Sequence, residues 1–402
     1  MKVVFANRYF HPDISATSQI LTDLAVHLAG DNEVHVVTSR QRYDDPRERL
    51  ASDATVSGVI VHRVWTTHFG RGWLPGRAVD YVTFYLSATW RLWRLLRAGD
   101  IAVPMTDPPL LSIPASFAAR RRGARVVNWL QDVFPETAAA LGVPLARGIV
   151  GSALVHWRNH SLERAARNVV LGELMEKRLE DEGVPAALVT VIHNWSVGES
   201  VRPLAASENA LRAEWGLQGK FVVGYSGNMG RAHDLDILLE AAQRLSGHED
   251  IAFLFIGSGS QRDALERRAR DGGLRNVTFQ PYQPRERLGA SLTVPDCHVV
   301  SLKPSLEGLV VPSKLYSSLA AGRPVLFVGA ADGEIGRLVR AHDIGRVADP
   351  SDAGAIAAAI LALREGMPGA GARGRALFER EFDAPVAMAR WSRLLAEVKA
   401  AR

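Results

Sequence analysis

Short apolar runs alternate with amphipathic helical stretches almost from one end of the chain to the other, and this limits the fold more than any other feature. Strands separated by helices read as βαβ units, hence as a parallel sheet covered on both faces. In the first half the runs predict strands at 2–7, 33–38, 59–64, 99–103, 124–129, 168–171 and 188–192. Between the first two, Ile20, Leu21, Leu24, Ala25 and Leu28 share one helical face. In the second half the strands fall at 221–226, 251–257, 276–280, 297–302, 324–329 and 346–349. Helical patterns lie near 235–246, 261–271, 313–321, 334–341 and 352–365, and the segment from about 372 is also helical.

The two sets part near 194–218, where Asn194-Trp195-Ser196 is followed by Pro203 and a polar, small-residue stretch. The expected fold class is α/β: two Rossmann-like domains with parallel sheets facing a central cleft. The expected boundaries are 1–198 and 199–382, with a C-terminal helix at 383–402 packing back on the first domain. The 402 residues suffice for about two ordinary domains. A composition of 47% hydrophobic and 23% charged residues excludes a disordered chain or a collagen-like fibre. Cys297 is the only cysteine, which excludes an intramolecular disulfide or a Cys-cluster metal site and fits a reducing compartment. Met1-Lys2 runs directly into Val3-Val4-Phe5-Ala6, which predicts a first strand in place of a signal peptide. No uncharged apolar stretch is long enough to span a bilayer, so the expected location is cytoplasmic, with the inner face of the membrane as an option. The net charge of +5 comes almost wholly from arginine, since lysine occurs only six times. So small a surplus predicts no nucleic-acid partner, but it suits phosphates, sugar nucleotides or an acidic membrane face.

In open α/β sheets ligands sit at the carboxyl ends of strands. The run Gly224-Tyr225-Ser226-Gly227-Asn228-Met229-Gly230-Arg231-Ala232-His233-Asp234 leaves a strand and enters a helix. Its glycines let backbone approach a ligand, and free amides near a helix start attract phosphate; a plain tight turn is the alternative. Ile256-Gly257-Ser258-Gly259-Ser260 ends the next strand in the same manner. A third loop, Glu307-Gly308-Leu309-Val310-Val311-Pro312-Ser313-Lys314-Leu315-Tyr316, offers Ser313 as an N-cap. Lys314 would then sit in the first turn, where the helix dipole disfavours a cation unless an anion is bound. Glu307 could accept hydrogen bonds from hydroxyls.

In the first half, Ser15, Thr17 and Ser18 can cap a helix and present hydroxyls. Thr106-Asp107-Pro108-Pro109 is a rigid turn, and Asn128-Trp129-Leu130-Gln131-Asp132-Val133-Phe134-Pro135-Glu136 puts two carboxylates just after a strand. The alternative for these is a capping or salt-bridged acid. The segment 73–97 mixes Trp73, Leu74, Tyr81, Phe84, Tyr85, Trp90 and Trp93 with Arg91, Arg94 and Arg97. Such a helix can lie on a membrane surface or pack with a solvated arginine face. Asp234-Leu235-Asp236 spells D-x-D, but at a helix start it reads as capping and not as a metal site.

Phe10-His11-Pro12, Asp107-Pro108-Pro109, Asp132-Val133-Phe134-Pro135-Glu136 and Pro312-Ser313-Lys314-Leu315-Tyr316, with Ala320-Ala321-Gly322-Arg323-Pro324-Val325, carry a family resemblance. The chain resembles the retaining GT-B glycosyltransferases of family 4, in particular the bacterial sugar transferases of O-antigen and colanic-acid assembly. The resemblance covers essentially the whole chain, and the last block is its most specific part. It implies a nucleotide-sugar donor held by the C-terminal domain, an acceptor on the N-terminal domain, transfer with retention, and no metal or cofactor. It places Lys314 and Arg231 on the diphosphate, which the amides of Gly227, Asn228, Met229 and Gly230 would cradle. His233, Gly257, Gly259, Pro281, Tyr282, Glu307, Val311, Pro312, Ser313 and Ser317 would line the rest of the donor site. Asp132 would contact the donor sugar or the acceptor, with Ser15, Thr17, Ser18, Asp107 and Glu136 on the acceptor side. A UDP-sugar, such as UDP-GlcNAc, is the favoured donor; the acceptor would be a polyprenyl-linked glycan or a small molecule of antibiotic biosynthesis.

The pattern also departs from the family. Many members carry an Arg and a Lys where this chain has Asn228 and His233. The second of two family glutamates falls at Ser317, and Glu307 lies two residues from the first. Ser15-Ala16-Thr17 replaces the usual N-domain glycine pair. The alternatives to a transferase are a sugar-nucleotide epimerase on the same fold and a binder that has lost activity.

Overall fold

The computed structural model describes residues 1–13, 15–42, 48–70 and 74–401. The chain divides into two compact units, Met1–Ile192 with Met388–Arg402, and His193–Ala387.

In the first unit the elements run β1 Lys2–Ala6, α1 Ala16–Leu28, β2 Glu33–Ser39, β3 Asp53–Val56, β4 Val59–Val64, α2 Leu74–Leu95 and β5 Ile101–Pro104. They continue as α3 Ser112–Arg121, β6 Arg125–Trp129, α4 Glu136–Ala140, α5 Gly148–Glu163, β7 Arg167–Val170, α6 Glu173–Asp181 and β8 Val189–Val191. The eight strands form one sheet in the order β3-β4-β2-β1-β5-β6-β7-β8. All neighbours are parallel except β3, which runs antiparallel to β4. The apolar runs do not predict this edge strand. Its mark is local: Ser57 and Gly58 both take positive φ, at 46° and 86°, the two-residue turn that matches hairpin twist. In the sheet, Val3, Val4, Phe5, Val36 and Val127 are fully buried. α2 meets it with Phe84, Ala88 and Leu92, at the four-residue spacing of one helical face.

The second unit runs α7 Ala210–Glu214, β9 Phe221–Ser226, α8 Asp236–Arg244, β10 Ile251–Ile256, α9 Arg262–Asp271, β11 Val277–Gln280 and α10 Arg285–Leu292. It continues as β12 Cys297–Ser301, α11 Lys314–Ala320, β13 Val325–Val328, α12 Glu334–Ala341, β14 Gly345–Ala348, α13 Ala353–Glu365 and α14 Ala370–Glu381. Six parallel strands follow the order β11-β10-β9-β12-β13-β14. The order reverses at β9, which is the switch point where such sheets receive ligands. Phe253, Phe255, Val299 and Leu326 fill the core against Leu238, Leu239, Ile356 and Ile360.

The helical tail is two helices and not one run, because Phe382-Asp383 interrupts it before α15, Ala384–Ala400. Within the first unit, Trp391 of α15 packs against Trp129 with ring centroids 4.7 Å apart, and both rings are buried. Of the aromatic segment 73–97, Trp73 lies outside the described residues.

Candidate active site

At the carboxyl end of β9 and β10, two glycine loops lock together. The Gly227 amide donates to the Ile256 carbonyl at 2.8 Å, and the Met229 amide to the Ser258 carbonyl at 2.7 Å. Only glycine fits at 257. Its φ is 132°, and a Cβ there would stand 2.2 Å from the Gly227 carbonyl oxygen. Gly259, at φ 146°, would likewise strike the Met229 backbone at 2.6 Å. Gln261 closes the seam by donating from Nε2 to the Gly230 carbonyl at 2.6 Å. Arg262 donates to the carbonyls of Gly257 and Gln280. These bonds correct the expected cradle, since the amides of Gly227 and Met229 are spent inside the loop pair. The Met229 side chain lies in the core, so it offers no contact either. Asn228, by contrast, is exposed.

Lys314 opens α11 and points at this seam. Its Nζ lies 3.0 Å from His233 Nε2 and 4.9 Å from the centre of the Tyr225 ring. A Cβ on Gly227 would meet its Cε at 3.0 Å, so the lysine stem lies flat on the loop. Burial pulls the lysine pKa down to about 7. His233 is buried too, and burial, with Lys314 beside it, holds its pKa at about 3, so the ring is neutral. Its Nδ1 lies 2.6 Å from the Ser301 carbonyl oxygen, which can only accept. The proton therefore sits on Nδ1, and the Nε2 lone pair faces the ammonium. His233 thus positions Lys314 instead of contacting an anion itself.

Several residues around this centre differ from their expected roles. Ser313 takes the N-cap position of α11 as expected, but it has helical φ and ψ and its side chain makes no capping hydrogen bond. Ser317 donates back to the Lys314 carbonyl at 3.0 Å. Val311 is buried and Pro312 is buried beside it. Glu307 uses Oε2 to accept from the Glu334 amide at 3.2 Å, capping α12, while Oε1 is buried with no hydrogen-bond partner among the described residues. Burial raises its pKa. Pro281 and Tyr282 are exposed beyond β11, and Arg231 is exposed in the first loop. Asp236 does not cap α8; it sits in the first turn and pairs with Arg268 at 2.8 Å. Sequence reasoning missed Tyr225, Gln261, Arg262 and Ser301, because polar residues inside loops and strands carry no periodic signal.

In the first unit Asp132 follows β6 and lines a cavity with Thr106, Leu110, Ser112, Asn128 and Arg158. Its Oδ1 is buried and unpartnered among the described residues. Burial raises its pKa to about 6, opposed by a hydrogen bond from Thr106 and helped by the charge of Asp107. Asp107 is partly buried, with its carbonyl accepting from the Arg8 amide at 2.6 Å. Glu136 is committed elsewhere, to a bidentate pair with Arg158 at 2.8 and 3.2 Å that also holds Glu182. The hydroxyls near α1 are also largely occupied or enclosed. The Ser15 amide donates to Asp13 Oδ1 at 2.8 Å and the Ser15 side chain makes no capping bond; its hydroxyl is buried, and Ser18 is buried and donates to the Asp13 carbonyl at 3.1 Å. Thr17, in the first turn of α1, is partly exposed. Among the described residues, no group of three or more His, Cys, Asp or Glu side chains could hold a metal ion.

Two family descriptions match the chain, glycosyl transferases group 1 over residues 207–368 and a glycosyl transferase 4-like domain over residues 16–195. WbjE of Pseudomonas aeruginosa, named as a glycosyltransferase, is 30% identical over 71% of this chain and 70% of its own length. WcaI of Escherichia coli K12, whose name assigns it to colanic acid biosynthesis, is 32% identical over 61% of this chain and 66% of its own. A GDP-mannose-dependent alpha-mannosyltransferase of Mycobacterium tuberculosis is 26% identical over 66% of this chain and 65% of its own. Among solved structures, a sucrose-phosphate synthase from Thermosynechococcus elongatus covers 100% of both chains with a TM-score of 0.80 at 16% identity. HepE of Anabaena, solved with UDP and glucose, covers 99% of this chain and 100% of its own with a TM-score of 0.74 at 15% identity.

Proposed function

Because the chain belongs to the group 1 glycosyl transferases, with a GT-B fold and a glycosyl transferase 4-like first half, we propose that it transfers sugar from a UDP-sugar with retention of configuration. The chain is a GT-B glycosyltransferase that uses a nucleotide-sugar donor.

One observation carries the site assignment, the Lys314 ammonium held on a neutral His233 above the paired glycine loops. A departing nucleoside diphosphate develops negative charge as the C1–oxygen bond breaks, and a preorganised cation there stabilises the transition state. Lys314 supplies that charge, with exposed Arg231 adding to it. The acceptor oxygen bonds to C1 on the face the diphosphate leaves, and its proton passes to a leaving phosphate oxygen. No separate base is required. Exposed Tyr282 offers a stacking face to the base, and Glu307 Oε1, without a hydrogen-bond partner among the described residues, an acceptor for a sugar or ribose hydroxyl. In the first unit, Asp132 meets the acceptor with its unpartnered oxygen, and the acceptor is a polyprenyl-linked glycan or a small molecule.

The test is a donor panel of UDP-, GDP-, ADP-, TDP- and CMP-sugars, with product followed by mass spectrometry and anomeric configuration by NMR. Retained-configuration transfer from a UDP-sugar, lost in Lys314→Met, is expected. Transfer from a GDP-sugar alone would overturn the donor assignment. An epimerised sugar formed without any acceptor would overturn the reaction.

A further inference from the structure

The solvent face of α2 is apolar where a surface helix should be polar. Val79, Val82, Leu86, Trp90 and Trp93 recur every three or four residues along it, and all are exposed, Leu86 at 68% and Trp90 at 59%. The opposite face, with Phe84, Ala88 and Leu92, already fills the core. The exposed stripe is therefore not needed for folding. The apolar surface continues on neighbouring helices. α3 packs against both α2 and α5. It exposes Phe117 at 57%, and α5 exposes Ile149 at 91%, Val150 and Trp157.

Positive charge predominates on these helices, although Glu163 at the end of α5 is exposed. Asp80 is the only acid in α2 and is fully buried; α3 has none; Glu163 closes α5. Arg77, Arg94, Arg97, Arg120 and Arg121 are exposed. Three guanidinium groups are held over the exposed rings: Arg94 over Trp90 at 5.8 Å, Arg121 over Phe117 at 5.0 Å and Arg122 over Trp93 at 5.4 Å. Arg91 is turned aside, paired with Asp53 at 3.2 Å. Tryptophan and arginine side by side match the boundary between acyl chains and anionic headgroups, where rings enter the apolar layer and guanidiniums meet phosphate. A nucleic acid would meet the arginines but would leave Val79, Val82, Leu86 and Ile149 without a partner. Among the described residues no helix is long and apolar enough to cross a membrane, so the contact would lie in the interface plane.

We infer that α2, α3 and α5 form a docking surface for an anionic lipid bilayer. The partner is the membrane itself, and the inference stands apart from the identity of the donor.

Flotation of the whole chain with phosphatidylcholine vesicles, with and without phosphatidylglycerol, tests it, beside L86E/W90E and R94E/R121E. Binding to the anionic vesicles alone is expected, weakened by salt, and reduced roughly tenfold or more in each double variant. All four substituted side chains are exposed, so melting curves should match the parent. In the unsubstituted chain, brominated lipids should also quench tryptophan fluorescence. Absence of vesicle binding, binding that neither variant weakens, or an absence of quenching would overturn the inference. So would a lipid-free dimer, by light scattering, that L86E/W90E dissociates, since the face would then belong to a second copy.

Discussion

His233 Nε2 accepts from the Lys314 ammonium at 3.0 Å, and the Ser301 carbonyl fixes the tautomer that makes this possible. His233 is thus a neutral ring that aims the lysine. The proposed diphosphate site therefore relies chiefly on a lysine whose pKa burial brings to about 7.

Donor affinity should consequently fall as pH rises. Above about 7 the empty site is deprotonated, whereas a bound diphosphate holds Lys314 protonated, so binding takes up a proton. The association constant should drop about tenfold per pH unit above that value. Titration calorimetry in buffers of different ionisation enthalpy measures the uptake directly. Lys314→Met should abolish the slope. It should also melt higher than the parent near pH 7, because the native state there gives up the proton that an ordinary lysine keeps to about 10.4. His233→Phe should weaken donor binding by about 10- to 100-fold, or ~1.4–2.7 kcal/mol, with His233→Gln recovering part of the loss.

Gly257→Ala tests the loop seam. The new methyl must displace the Gly227 carbonyl and adopt a φ of 132°. The expected loss is on the order of 3 kcal/mol in urea unfolding, with weakened donor binding. Unchanged stability would mean that the two loops are not locked.

Asp132→Asn separates a working carboxylate from a structural one. The native pKa is raised to about 6, so the unfolded chain binds fewer protons between about pH 4 and 6, and native stability falls as pH rises through that window. The amide removes this cost. Above pH 6 the variant should be more stable by on the order of 1–3 kcal/mol while kcat falls at least about tenfold. A purely structural aspartate would lose stability instead, which differential scanning calorimetry would show.

Asp80 anchors the start of α2. Fully buried, it faces Arg8 at 3.5 Å and accepts from Thr67 Oγ1 at 2.8 Å and from the Phe69 and Gly70 amides at 3.0 and 3.1 Å. Asp80→Ala leaves Arg8 charged and buried, and should cost about 3–5 kcal/mol in urea unfolding.

The parallel sheets were legible because period and length separate their strands from the helices, and residues such as Val3, Phe5, Phe253 and Phe255 are buried as those runs require. The loops that bear Gly257 and Lys314 stand out in the sequence for a chemical reason, since clustered glycines follow a strand and a cation opens a helix, and the structure places both beside the same seam. What stayed hidden was pairwise. Nothing local to Glu136 tells that Arg158 claims it, and nothing local to Ser313 tells that its backbone is already helical. The amides of Gly227 and Met229 looked available because their partners, Ile256 and Ser258, belong to another strand end. Asp80 sits in an aromatic helix with no periodic cue to its partner, 72 positions away at Arg8.

The most direct test of the account is calorimetric titration of UDP into the parent chain and into Lys314→Met at pH 7. Saturable binding to the parent is expected, with binding weakened by roughly 100-fold or more in the variant and little binding of uridine, which lacks the diphosphate, to either. Equal UDP affinity in the two chains, or no UDP binding to the parent, would contradict it.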